Sequence, residues 1–168
     1  MSKTKSQHYN LCLQAAKWLQ SVQGCKYVAI ELITYGGENP DVWGTPGWNS
    51  HIIEVKTSRS DYLKDRKKEC RQPGKGMGNF RYYLLPEGAV KPEEVPEDWG
   101  ILYHNGEKIT QFQRQAKYRR NMVNEDISML CSIMRREGIK KQIFNYRHQN
   151  PIYKSNSPEF DGIKNISH

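Results

Sequence analysis

The chain has 168 residues, a hydrophobic share of 36%, a mean hydropathy of −0.86, a formal charge of +8 and a pI near 9.3. No run approaches the ~18 apolar residues of a membrane span, and the opening Met-Ser-Lys-Thr-Lys-Ser lacks the apolar segment of a signal peptide, so the expectation is a cytoplasmic protein without a membrane partner. Eighteen of the 26 Lys and Arg residues fall in two windows, 56–81 and 114–147, each with only three acidic residues, and such concentration favours a polyanion, nucleic acid above all, over a merely solvated basic surface.

The length suits one domain over 1–150, followed by 151–168 as a flexible tail rich in Ser, Asn and Pro. Residues 6–23 read as an amphipathic helix, with Leu11, Ala15, Trp18 and Val22 in one stripe widened by Ala16 and Leu19, and Gly24 as the stop. Residues 27–34 read as a strand whose odd face carries Glu31, a single acid in an apolar run. A second strand covers 51–58, where alternation puts Ile53, Val55 and Thr57 on one face and Ile52, Glu54 and Lys56 on the other. Glu54 and Lys56 therefore share a face of a strand that otherwise looks buried. They need partners there: each other, a further carboxylate or a cation. Asp41 is that further carboxylate, because the turn-rich segment 44–50 is expected to fold it back as a hairpin against Glu54. Two carboxylates beside one lysine suit a hard divalent ion such as magnesium.

Residues 58–70 read as a helix capped near Ser58 or Ser60, with Tyr62, Leu63 and Arg66 toward the sheet and the rest charged. The loop 72–79 is glycine-rich but leads into a strand and lacks the GK[ST] ending of a Walker loop. Strands follow at 80–85, 99–104 and 108–113, the last two joined at Asn105-Gly106, with one helical turn at 92–95 between them and the first. Tyr82, Tyr83 and Trp99 are expected in the core. A helix over 124–138 aligns Val123, Ile127, Leu130 and Met134. The four cysteines form no CxxC pair and read as free, mostly buried thiols. His51, His104 and His148 have no metal-ligand spacing, and G-x-S-x-G is absent.

Pro40-Asp41 followed by Glu54-Val55-Lys56 resembles the PD-(D/E)XK signature of the restriction-endonuclease-like nuclease superfamily. The continuation Thr57-Ser-Arg-Ser-Asp61-Tyr-Leu-Lys-Asp65-Arg-Lys, with Phe80-Arg-Tyr-Tyr-Leu-Leu-Pro86 and Val95-Pro-Glu-Asp-Trp-Gly-Ile-Leu-Tyr103, is similar to a branch of small stand-alone bacterial or phage proteins linked to DNA repair. The resemblance spans roughly 27–103. It implies an α/β, restriction-endonuclease-like core: a mixed central sheet flanked by the N-terminal helix and the helix after the motif. It also implies magnesium-dependent hydrolysis of DNA phosphodiesters in repair, recombination or mobile-element metabolism. Asp41, Glu54 and the Val55 carbonyl would hold Mg2+, for which Mn2+ can substitute, and Glu31 is a candidate for the extra acid that relatives bring from an early element. Lys56 would orient or deprotonate the attacking water, a role that a lowered pKa would suit. Thr57, Ser58, Arg59, Lys67, Lys68 and Lys75 are the candidate nucleic-acid contacts. Relatives that cut both strands often dimerise, so a homodimer is compatible with the resemblance. The rival readings are a catalytically inactive DNA-binding accessory on the same fold, with Asp41, Lys56 and Glu54 as a structural salt bridge, and an RNA-directed nuclease.

Overall fold

A computed structural model describes residues 3–34, 38–120 and 123–138. The first helix, α1 (Lys3–Ser21), buries Leu11, Ala15 and Leu19 at four-residue spacing, with Cys12 beside them. Trp18 is half-buried, edge-on to Tyr82 at 5.1 Å. Val22 falls past the last residue of the helix and is exposed, so the stripe is shorter than the sequence suggests.

The described residues form a six-stranded mixed sheet in the order β1-β2-β3-β4-β5-β6. β1 (Tyr27–Ile30), β2 (Val42–Thr45) and β3 (His51–Val55) make an antiparallel meander. β3, β4 (Phe80–Pro86) and β5 (Trp99–His104) are parallel, and β6 (Ile109–Arg114) returns antiparallel along β5. The two parallel joins need crossovers. α2 (Arg59–Asp65) lies in the first, and a single 3-10 turn (Pro92–Glu94) lies in the second. β1 stops at Ile30 and not at 34, because Glu31 takes a positive φ of 47°, a left-handed conformation that ends a strand.

The two sheet faces differ in chemistry. Val42, Ile53, Val55, Tyr82, Leu84 and Leu102 pack with α1 into an apolar core. Ile52, Glu54, Arg81, Tyr83 and Trp99 face the other way, where Tyr83 stacks on Trp99 at 4.2 Å and Tyr62 of α2 meets Tyr83 edge-on at 5.1 Å. The predicted core aromatics Tyr82, Tyr83 and Trp99 are all buried. None of the four cysteines is in a disulfide: Cys12 and Cys25 are buried, Cys70 is half-buried and Cys131 is exposed.

The chain divides into two compact units, Met1–Met129 and Leu130–His168, with the division inside α3 (Val123–Arg136). In the first unit Asp126 accepts from Trp43 Nε1 at 2.9 Å and from Ser50 Oγ at 2.7 Å, and Met129 is buried while Ile127 is exposed. The inner position of this helix is therefore Met129, and not Ile127 as the apolar spacing suggests. The second unit is described only over the end of α3, and the expected tail at 151–168 lies outside the described residues, as does His148. No helix among the described residues is long and apolar enough to cross a membrane.

His51 opens β3 with its ring stacked on Phe80 at 4.9 Å and its Nδ1 buried without a hydrogen-bond partner. Burial pushes its pKa from 6.5 down to about 4. Above pH 6.5 the ring is neutral in both folded and unfolded chains; as pH falls from 6.5 through about 4 the unfolded chain takes up the proton that the fold resists. We expect up to about 3 kcal/mol to be lost across that window. His51→Gln should flatten this part of the stability curve in urea titrations at pH 7 and pH 4.5; a curve unchanged by the substitution would show that His51 is not the responsible group.

Candidate active site

β3 carries Glu54 on the face opposite α1 and delivers Lys56 just beyond its end. Because Val42 pairs with Ile53, Asp41 comes to lie across from Glu54, and the Val55 N–H donates to Asp41 Oδ2 at 2.8 Å. Lys56 Nζ then sits 3.0 Å from Glu54 Oε2, 3.2 Å from Asp65 Oδ1 and 3.7 Å from Asp41 Oδ2. The sequence-predicted trio is thus brought together, with Asp65 as a third carboxylate. His104 of β5 secures the Lys56 backbone: its Nε2–H donates to Lys56 O at 2.8 Å while its Nδ1 accepts from the Gly106 N–H at 3.0 Å, which sets the tautomer.

A second layer of charge surrounds these groups. Arg71, in a 3-10 turn (Glu69–Arg71), reaches Glu54 Oε2 at 2.8 Å and Asp65 Oδ2 at 2.7 Å, and also pairs with Glu38. Arg81 of β4 pairs with Glu38 at 3.1 Å and lies 4.1 Å over the Trp99 ring. Tyr83 Oη donates to Asp65 Oδ2 at 2.9 Å. Sequence reasoning placed Asp65 on a charged outer face, with Arg66 toward the sheet. The structure reverses the pair: α2 buries Tyr62 and Asp65, and Arg66 is its exposed C-cap. The three-residue spacing of Tyr62 and Asp65 was the available signal. Glu38, Arg71 and Arg81 carried no local signal at all.

The carboxylates of Glu38, Asp41, Glu54 and Asp65 face Lys56, Arg71 and Arg81, with His8 and Lys68 adding charge at the rim. Burial pushes the Glu54 pKa up to about 6, against the pull of Arg71 and Lys56. Its Oε1 is buried and has no hydrogen-bond partner. For Lys56 burial favours the neutral amine, but Glu54, Asp41 and Asp65 outweigh it and hold the ammonium above the usual lysine range. The lowered pKa expected for a proton-accepting lysine is therefore not found here, because three anions surround the amine. Burial likewise raises Asp65, yet the hydrogen bond from Arg71 and the charge of Lys56 bring it well below the ordinary carboxylate range.

Glu31 does not join the trio directly. Its Oε1 lies 3.4 Å from His8 Nδ1, and His8 Nε2 lies 3.6 Å from Asp41 Oδ1, so the imidazole stands between the two acids. The hydrogen bonds to Asp41 and Cys12 raise the His8 pKa to about 10. The ligand atoms of His8, Cys12 and Glu31 lie within 4.8 Å of one another, close enough to share a metal ion. Of the predicted nucleic-acid contacts, Ser58 is the α2 N-cap, accepting from the Asp61 N–H, and the Thr57 N–H donates to Asp61 Oδ2 at 3.3 Å. Arg59 is paired with Glu94, and Lys68 with Asp65 at 2.7 Å. Lys67 and Lys75 are exposed, Lys75 Nζ being 3.8 Å from Glu69.

The glycine-rich loop closes the charge cluster from below. Gly76 has φ +76°, and a Cβ there would lie 2.4 Å from both Cys70 O and Glu38 Oε2, while the Met77 N–H donates to Glu38 Oε2 at 2.7 Å. Gly76→Ala should therefore cost about 1–3 kcal/mol, a melting-temperature loss of roughly 2–12 °C. Thermal denaturation followed by circular dichroism reads this directly, and a melting point equal to wild type would mean that the loop is free to move away.

No family model and no curated protein matches the chain. Among solved structures it is similar to a protein of unknown function from Silicibacter pomeroyi, at 18% identity over 76% of this chain and 84% of that one, with a TM-score of 0.58. The two share a fold.

Proposed function

We propose that the protein is a magnesium-dependent nuclease that hydrolyses DNA phosphodiesters, with a PD-(D/E)XK-type site on a restriction-endonuclease-like core. The observation that carries this reading is the convergence of Asp41, Glu54 and Lys56 from neighbouring strands around Lys56 Nζ. The mixed sheet with helices on both faces is compatible with such a core. The donor set fits a hard cation: Glu54 Oε1 is an orphaned buried oxygen, and Asp41, held by the Val55 N–H, lies across the ladder from Glu54. Asp41, Glu54 and the Val55 carbonyl would hold the ion, with manganese able to substitute. Bound there, it would supply Lewis-acid polarisation of a phosphoryl oxygen and a more acidic water.

The chain's own groups do the rest. Lys56, kept protonated by its three carboxylates, donates hydrogen bonds and offsets negative charge that develops on the phosphoryl group, in place of accepting a proton. Arg71 and Asp65 hold Glu54 and Lys56 in position, and His8 does the same for Asp41. Lys67 and Lys75 remain exposed for backbone phosphates. A DNA substrate and thiols outside disulfides suit the cytoplasm.

One observation favours a second reading. Glu54 is 2% and Lys56 4% exposed, and their charges are already paired, as in a structural ion cluster on a DNA-binding accessory protein. A cleavage screen decides between these two and an RNA-directed enzyme: plasmid and single-stranded, duplex, branched and RNA oligonucleotides with magnesium or manganese, in wild type and Asp41→Asn. Metal-dependent cutting of DNA that Asp41→Asn abolishes supports the nuclease. Binding without cutting selects the accessory protein, and cutting confined to RNA selects the RNA-directed enzyme.

A further inference from the structure

Beside the charge cluster lies a cavity of about 340 Å³ whose lining includes Arg66, Arg71, Arg119 and Arg120, one acid, Asp98, and the ring of Trp99. Its arginines differ in charge balance. Arg71 is neutralised by Glu38, Glu54 and Asp65. Arg119 spends its hydrogen bonds on the uncharged carbonyls of Lys75, at 2.7 Å, and Gly76, at 3.0 Å. Arg66 lies 6.0 Å from the Tyr62 ring, and neither it nor Arg120 is paired with a carboxylate among the described residues. Three uncompensated guanidiniums against one carboxylate leave a surplus of two positive charges. That surplus matches a phosphomonoester, which carries nearly two negative charges at neutral pH, better than an internal diester, which carries one.

The volume exceeds what bare phosphate needs and falls at the lower end of the roughly 300–1,000 Å³ that holds small organic ligands. Tyr83 and Trp99, stacked and each 1% exposed, form part of its inner wall. Arg71 belongs both to this wall and to the candidate active site, where it touches Glu54 at 2.8 Å. We infer that the cavity takes the phosphomonoester of a nucleotide and, resting on the nuclease reading, that this nucleotide is the phosphorylated end of a DNA strand.

The test is binding in EDTA, where no cleavage intervenes, followed by fluorescence anisotropy with labelled single strands carrying a 5′-phosphate, a 3′-phosphate or hydroxyls only. One phosphorylated end should bind about tenfold tighter than the hydroxyl strand. Arg66→Ala and Arg120→Ala, both at exposed positions, should remove that preference and leave hydroxyl-strand binding within about twofold. A deoxynucleoside monophosphate should compete better than inorganic phosphate. Equal affinity for all three strands overturns the strand-end assignment, even if the monophosphate still competes. Arginine variants that weaken every strand alike overturn the cavity as a phosphomonoester site, because the residues would then be general DNA contacts. An end preference in a protein that never cuts DNA sinks the nuclease reading and leaves the cavity standing; cutting that ignores end phosphates does the reverse.

Discussion

Lys56→Met is expected to lower stability by about 3–5 kcal/mol at pH 8, or roughly 6–20 °C in melting temperature. The side chain is 5% exposed and its ammonium is within 3.7 Å of three carboxylates, two of them almost fully buried. Removing it strips the counter-charge and leaves those anions in a poorly solvated space, where truncating one partner costs far more than the pair is worth. The deficit should depend on pH in a stated direction. Glu54 already has its pKa raised from 4.5 to about 6, and loss of Lys56 raises it further. A carboxyl raised in the fold contributes stability that is present at low pH and lost as pH climbs through the folded value, so the variant should lie closer to wild type at pH 5 than at pH 8. Thermal melts at the two pH values measure this. A variant that melts within about 2 °C of wild type at pH 8 would mean that Lys56 is not the counter-ion of this cluster.

If the proposed nuclease function holds, Glu54→Gln is expected to leave the protein folded and to reduce magnesium-dependent cleavage by at least about a thousandfold, the scale of losing several kcal/mol of metal-assisted stabilisation. Glutamine keeps the size and planar shape, while Arg71 and Lys56 retain Asp65 and, respectively, Glu38 and Asp41 as partners. What disappears is the anionic Oε1, the buried oxygen that has no protein partner. Plasmid nicking and isothermal titration with manganese should fall together. Cleavage at the wild-type rate would move the metal site elsewhere, and the His8, Cys12 and Glu31 group would be the next place to look. Loss of fold in place of loss of cleavage would instead assign Glu54 to the structural ion cluster.

These two residues were paired by local geometry alone. Successive side chains on a strand point to opposite faces, so Glu54 and Lys56 share one face whatever the rest of the chain does. The turn chemistry of 44–50 likewise returns Asp41 to the neighbouring position, and Ser58 caps α2 as its residue type suggests. The strand Trp99–His104 was legible to the residue. The misreadings share one cause. Apolar spacing predicts Ile127 on the inner side of α3, but Met129 is buried and Ile127 is exposed. Residue types predict a strand through Glu31, whose left-handed backbone no propensity announces.

By itself, then, the amino-acid order determined which side chains share a face over a few residues, since that follows from covalent geometry and short-range sterics. Only the tertiary structure decided that Asp65, Arg71, Glu38, Arg81 and His8 gather around that face, because this depends on the parallel register of β3 with β4 and on where Glu38 and the segment 66–79 are placed against it. It also decided the charge state of the lysine: Asp65 joins the two carboxylates expected from the sequence, and three within 3.7 Å hold the amine protonated.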